Sequence, residues 1–361
     1  MKKESKVIIA LLGIIATFVV GVVLDLLESV LLPLVVAIFL SYLFKPLIVW
    51  LKRRHIPTVV SLLIVFVTIA AVVSGLSFVL YSSIDSFIAE APVYQERVND
   101  LLGEVDTSVR SLALRFHLPL SEFDWRTVVD VSSITSILSS SLGTTVTFLG
   151  NVILVMLYMF FILASSGHMA AKLRMGFRRE HSQQIASIIE RIDLQVRQYI
   201  LTKTFVSLIT GTLTTLVLWI FGVDFALFWG FLAFLLNYIP NIGSLLAEVF
   251  PVLLAFLQFD SVITPLIIFL ILLGMQTVMG NVVEPKMMSF TLNLSPLVIL
   301  VALIFWGWLW GIVGMIIAVP MTAILKIIFE NIDELTPLAR LMGGSIKPEK
   351  EIPVADSASL P

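Results

Sequence analysis

An all-α, polytopic integral membrane protein is the fold class this sequence predicts. Three observations predict it: 58% of its 361 residues are hydrophobic, only 13% are charged, and the mean hydropathy is +1.04. Soluble domains lie nearer about half apolar and about a quarter charged, so the excess apolar surface is expected to face lipid. The layout expected is about six full transmembrane helices, two broken, re-entrant hairpins and a small external helical segment. Cysteine is absent, which removes disulfides, thiolate chemistry and Cys-ligated metals. The net charge of −2 gives nucleic acid no electrostatic purchase.

Residues 1–84 are expected to hold spans one to three. Val7 to Leu24 follows Lys2, Lys3 and Lys6 like a signal peptide. No A-x-A-like site follows, however, and a second apolar run, Val30 to Phe44, begins almost at once, so the first span is expected to be retained. The third is Val59 to Tyr81. Residues 85–145 form the external segment, in which Phe87, Ala91, Tyr94, Val98, Leu101 and Leu102 recur at helical spacing. Residues 146–165 are span four. Residues 166–204 are a cytoplasmic loop with an amphipathic, interfacial helix whose stripe runs through Ile185, Ile188, Ile192, Val196 and Tyr199. Span five and hairpin one occupy 205–260, and span six and hairpin two occupy 261–335. Residues 336–361 are a cytoplasmic tail, expected to be disordered.

Charge sets the expected orientation. Lys2, Lys3, Lys6, Lys45, Lys52, Arg53 and Arg54 flank the first two spans, whereas Asp85 to Asp130 carries nine acids against four arginines. From Lys172 to Lys203 there are seven bases and three acids. Basic short loops stay inside, which places both termini in the cytoplasm.

Phe225 to Leu257 is a 33-residue apolar stretch whose one charged side chain is Glu248. As a helix it would span about 50 Å against a hydrocarbon core of about 30 Å, so it must fold back. The break falls at NYIPNIG, Asn237 to Gly243, where Pro240 lacks an N–H and Gly243 relaxes the backbone. Hairpin two, Pro296 to Phe329, breaks at WGWLWG through the hinge glycines Gly307 and Gly311. The two halves suggest an inverted-topology pair, an arrangement that places transport sites between broken hairpins.

Asn241, Ser244 and Glu248 share one helix face at i, i+3 and i+7. A carboxylate at membrane depth is costly, so Glu248 is the candidate site for a coupling proton or monovalent cation. Gln276, Thr277, Gly280, Asn281 and Glu284 lie on a common face of span six, and Glu284-Pro285 forms an interface motif with Lys286 as neutralising partner. Asn237, Asn241, Ser244, Gln276 and Asn281 are the candidate solute ligands; interhelical hydrogen bonding would use the same side chains. No catalytic residue, metal site or cofactor is expected. His55, His117, His168 and His181 all fall outside the spans, and no phosphate-binding glycine loop occurs.

NYIPNIGSLLAEVFPVLLAF, GNVVEPKMM, LSPLVIL and WGWLWGIVGMIIAVPMTAILK, preceded by YILTKTFVSLITG, resemble the autoinducer-2 exporter family. The resemblance covers the C-terminal half by motif and the N-terminal spans by layout. It implies a bacterial inner-membrane, homo-oligomeric transport protein in the lipid bilayer that exports a small polar solute such as the quorum signal, or in some members exchanges Na⁺ or Li⁺ for protons. Glu248 stands where a small residue is usual in the family, and Ser289 lies near a usual glycine. The rival classes are an oligomeric channel and a membrane organiser that transports nothing.

Overall fold

The computed structural model describes residues 13, 15, 18–116, 145–165, 179–288 and 292–344. Most of the expected first span, the external segment beyond residue 116, the loop at 166–178, Ser289 and the end of the tail lie outside the described residues.

Five described helices are long and apolar enough to cross a membrane, and no extended strand occurs among the described residues. The protein is an all-α polytopic membrane protein. Helical residues 18–26 lead into α1, Glu28–Arg53, and α2, Thr58–Phe116. Then come α3, Thr145–Ser165, and α4, Arg179–Ile220. Hairpin one is α5, Ala226–Leu236, and α6, Ile242–Gln258. After α7, Ile263–Val278, one π turn, Met279–Val283, leads into the short α8, Glu284–Met287. Hairpin two is α9, Pro296–Glu330, and α10 is Thr336–Met342.

The expected separate external cap is, as far as residue 116, the continuation of span three. α2 runs 59 residues without a break, about 88 Å, because its apolar stripe passes through Pro92 and on along the polar segment. Ala91, Tyr94 and Val98 of that stripe are buried. The expected interfacial helix is likewise the first part of α4. Val196 and Tyr199 of its stripe, with the adjoining Ile200, are buried in one cluster with Trp306, Trp310 and Ile317 of hairpin two, so this end of the stripe packs on protein instead of lying on headgroups. The expected disordered tail begins with α10. Its Ala339 is buried, and the backbone N–H of Ser295 donates to the Met342 carbonyl at 2.9 Å.

Both hairpins are present, and each is closed at its base. In hairpin one, Gln258 Oε1 accepts from the Asp224 N–H at 2.9 Å, while Gln258 Nε2 donates to the Gly222 carbonyl at 2.7 Å. α2 ties onto the same base. Arg97 pairs with Asp260 at 2.6 Å, and the Tyr94 hydroxyl lies 2.9 Å from an Asp224 carboxylate oxygen. In hairpin two, the Lys326 ammonium donates to the Asn293 carbonyl at 2.7 Å, and Glu330 pairs with Arg191 of α4 at 3.4 Å. Arg191 lies in the first third of α4 and Asp224 follows its far end. The two hairpins therefore open toward opposite ends of α4, about 43 Å apart along the helix.

Their tips are built alike. At the first, Asn241 has φ +62°, and a Cβ on Gly243 would lie 1.8 Å from the Leu236 carbonyl oxygen. At the second, Gly311 has φ +60°, and a Cβ on Gly314 would lie 1.9 Å from the Trp306 carbonyl oxygen. In each, a residue of positive φ turns the chain, and a glycine two or three positions later lets the returning arm press on a carbonyl in the last turn of the incoming one. Gly311 thus takes the turn expected of it, whereas Gly307 stays helical and faces Met315. Trp306 and Trp310 are buried, with Trp306 Nε1 donating to Thr322, and Trp308 is exposed.

Candidate functional site

A cavity of about 260 Å³ lies at the tip of hairpin one, where α4, the start of α6 and the π turn after α7 converge. The unwound link 237–241 supplies four of its lining residues, Asn237, Ile239, Pro240 and Asn241. Asn237 is buried, and its Nδ2 donates to Ser207 Oγ of α4 at 3.0 Å, which leaves its carbonyl oxygen as the group available to the cavity. Tyr238, next in sequence, donates to Thr204 at 2.7 Å. Two α4 hydroxyls therefore fix the tip in place, and Pro240 and Asn241 complete the turn.

Opposite stands the face predicted on span six. Gln276, Thr277, Gly280 and Asn281 line the cavity. Thr277 donates its hydroxyl proton to the Leu273 carbonyl, which leaves its oxygen lone pairs open. The π turn inserts one extra residue per turn just before Glu284, and such turns re-aim side chains at functional positions.

All five candidate solute ligands, Asn237, Asn241, Ser244, Gln276 and Asn281, line this one cavity with Pro240 and Glu284. Gly243 lies behind the wall as the packing contact described above. Glu248 does not line the cavity. It follows Ser244 by four residues, about 6 Å along the same face of α6, is 7% exposed, and its Oε1 has no hydrogen-bond partner among the described residues.

The partner of Glu284 differs from the expected Lys286. Glu284 Oε1 accepts from Lys203 of α4 at 2.5 Å, with the lysine side chain 4% exposed and the carboxylate 22%. Loop charge alone counts Lys203 as the edge of the basic loop. The signal that could have found it is its position inside YILTKTFVSLITG, a lone ammonium within an apolar helix. Among the described residues no cluster of three or more His, Asp or Glu side chains could hold a metal ion.

The cavity thus offers amide and hydroxyl groups of both hydrogen-bonding senses plus one internally neutralised ion pair. The family described as AI-2E family transporter matches residues 8–334 of the chain. The chain belongs to the AI-2E transporter family. Among its AI-2E relatives, the "AI-2 transport protein TqsA" of Escherichia coli K12 is 30% identical over 324 residues, which cover 90% of this chain and 92% of that one. The "Putative transport protein YhhT" of the same strain is 31% identical, covering 90% and 91%. A "Putative transport protein" of Haemophilus influenzae is 32% identical, covering 92% and 95%. The protein is accordingly a multi-pass membrane protein of a bacterial transporter family.

Proposed function

We propose that the protein exports a small polar solute through the cavity at the tip of hairpin one. The observation that carries this reading is the convergence of Asn237, Asn241, Ser244, Gln276 and Asn281 on one small cavity at the break of a hairpin. Broken helices at facing repeats are how secondary transporters make such sites. The name of the TqsA relative points to autoinducer-2 as the first solute to test. Glu248 is the candidate carrier of a coupling proton or monovalent cation. A buried carboxylate with an unpartnered oxygen gains most from binding one. The Na⁺ or Li⁺/H⁺ exchange of some family members is the alternative use of the same carboxylate.

Assembly of several copies fits the exposed Asn241, Thr277 and Asn281 on the open flank of the cavity, because lipid tails offer such groups no hydrogen bonds. Membership of a bacterial transporter family supports the inner membrane as its location, and loop charge supports both termini in the cytoplasm. Counterflow in proteoliposomes against a panel of solutes, autoinducer-2 included, with and without a pH gradient, tests the proposal. Asn241→Ala and Asn281→Ala should each lower apparent affinity by about tenfold, the value of one or two lost hydrogen bonds. Unchanged affinity in both would place the solute elsewhere.

A further inference from the structure

The charged pair in the cavity has no role in the proposal above. A buried ion pair is weak as a device for stability, since apolar side chains of similar volume commonly serve as well or better. Lys203 and Glu284 nevertheless meet in the wall of the cavity, and the carboxylate is the more open of the two. Pro285 follows immediately and has no N–H, so one carbonyl of the Gly280–Asn281 step loses its helical donor. Both residues of that step line the cavity, as does Gln276, and neither the Gln276 nor the Asn281 amide has a hydrogen bond to another described residue.

One carboxylate, one freed carbonyl and two amide oxygens make a hard, all-oxygen donor set. Unwound carbonyls at broken transporter helices serve small monovalent cations in this way. The Lys203 ammonium now sits at the carboxylate end of that set, hydrogen-bonded to Glu284. Once the ammonium has moved out of the cavity, another single charge in its place leaves the cavity neutral, whereas a divalent ion would leave an excess charge in a low-dielectric site.

We propose that Lys203 is a tethered cation whose ammonium holds the place at Glu284 that a monovalent metal ion takes in another state of the transport cycle. The ion is then held by Glu284, the freed carbonyl and the amide oxygens of Gln276 and Asn281, while Lys203 swings aside. This rests on the reading of the cavity as the transport site, and it names a second ion position distinct from Glu248.

The test is thermal unfolding of the purified, detergent-solubilised protein, followed by tryptophan fluorescence, in NaCl against choline chloride at equal ionic strength. Wild type should show a saturable rise in Tm specific to Na⁺. Lys203→Gln removes the competitor and should lower the half-saturating Na⁺ concentration by about tenfold or more. Glu284→Gln should abolish the Na⁺-specific rise, and Glu248→Gln should retain it. A rise that persists in Glu284→Gln, or is lost in Glu248→Gln, overturns the proposal, as does the absence of any difference between Na⁺ and choline in wild type. If Lys203→Gln assembles only in Na⁺, that rescue supports the tether; failure to assemble in either salt counts against it. Gln276→Leu should weaken the Na⁺ response by about tenfold, and an unchanged response removes the amide from the site. Solute counterflow that persists without any Na⁺ response would sink this inference and leave the export reading standing.

Discussion

Gly243 and Glu248 lie five residues apart on one arm of hairpin one, and their surroundings give them opposite sensitivities. At Gly243 there is no room: a methyl group would sit 1.8 Å from a backbone carbonyl. Gly243→Ala must push the arms apart and should cost about 1–3 kcal/mol or more, read as a lower unfolding temperature. At Glu248 the shape of the side chain is not the issue but its ability to carry charge. Glu248→Gln should therefore assemble normally and keep counterflow while losing gradient-driven accumulation in proteoliposomes. Uphill transport with wild-type pH dependence in that variant would remove Glu248 from the coupling step. Both positions stood out in the sequence, Gly243 as part of the break and Glu248 as the one charge in an apolar background. The pairing of Lys203 with Glu284 was not, since 81 residues separate them and local spacing pointed to Lys286.

The hairpins were foreseen from length alone, since neither apolar stretch fits a single crossing. The reason each one bends was only half legible. Pro240 stood out as the breaker, yet the turn is made by Asn241 at positive φ and by the close approach at Gly243. Pro240→Ala alone should accordingly keep the bend and most of the transport, whereas Gly243→Ala should lose it; equal loss in both would restore the proline to the main role. Gly314, which repeats the Gly243 contact in hairpin two, carried no signal in the sequence because WGWLWG drew attention a few residues earlier. Gln258 offers a different handle. Gln258→Ala removes both hydrogen bonds that close the base of hairpin one and should destabilise the fold by about 1–3 kcal/mol. An unchanged thermal midpoint would show that the tie from α2 is sufficient by itself.

For the molecule as a whole, composition gave the membrane class and loop charge gave a sidedness that labelling can check. A cysteine label at position 100 should react from outside intact cells, and labels at positions 53, 178 and 350 only after permeabilisation. External reaction at 53 would invert the arrangement. Continuity between segments was what the sequence concealed, since an amphipathic stripe looks the same whether its helix is free or joined to the span before it. That continuity turns α2 into a lever. Arg97 lies 39 residues beyond the start of the helix at Thr58, about 58 Å away. If the helix pivots at that end, a tilt of about 5° moves Arg97 by about 5 Å. Helices tilt to match the thickness of the bilayer around them. A contact of 2.6 Å between Arg97 and Asp260 cannot absorb such a displacement, so either the base of hairpin one travels with the rod or the tie parts. Bilayer thickness thereby becomes an input to the hairpin that walls the cavity, and transport should vary with acyl chain length in wild type more steeply than in Arg97→Ala.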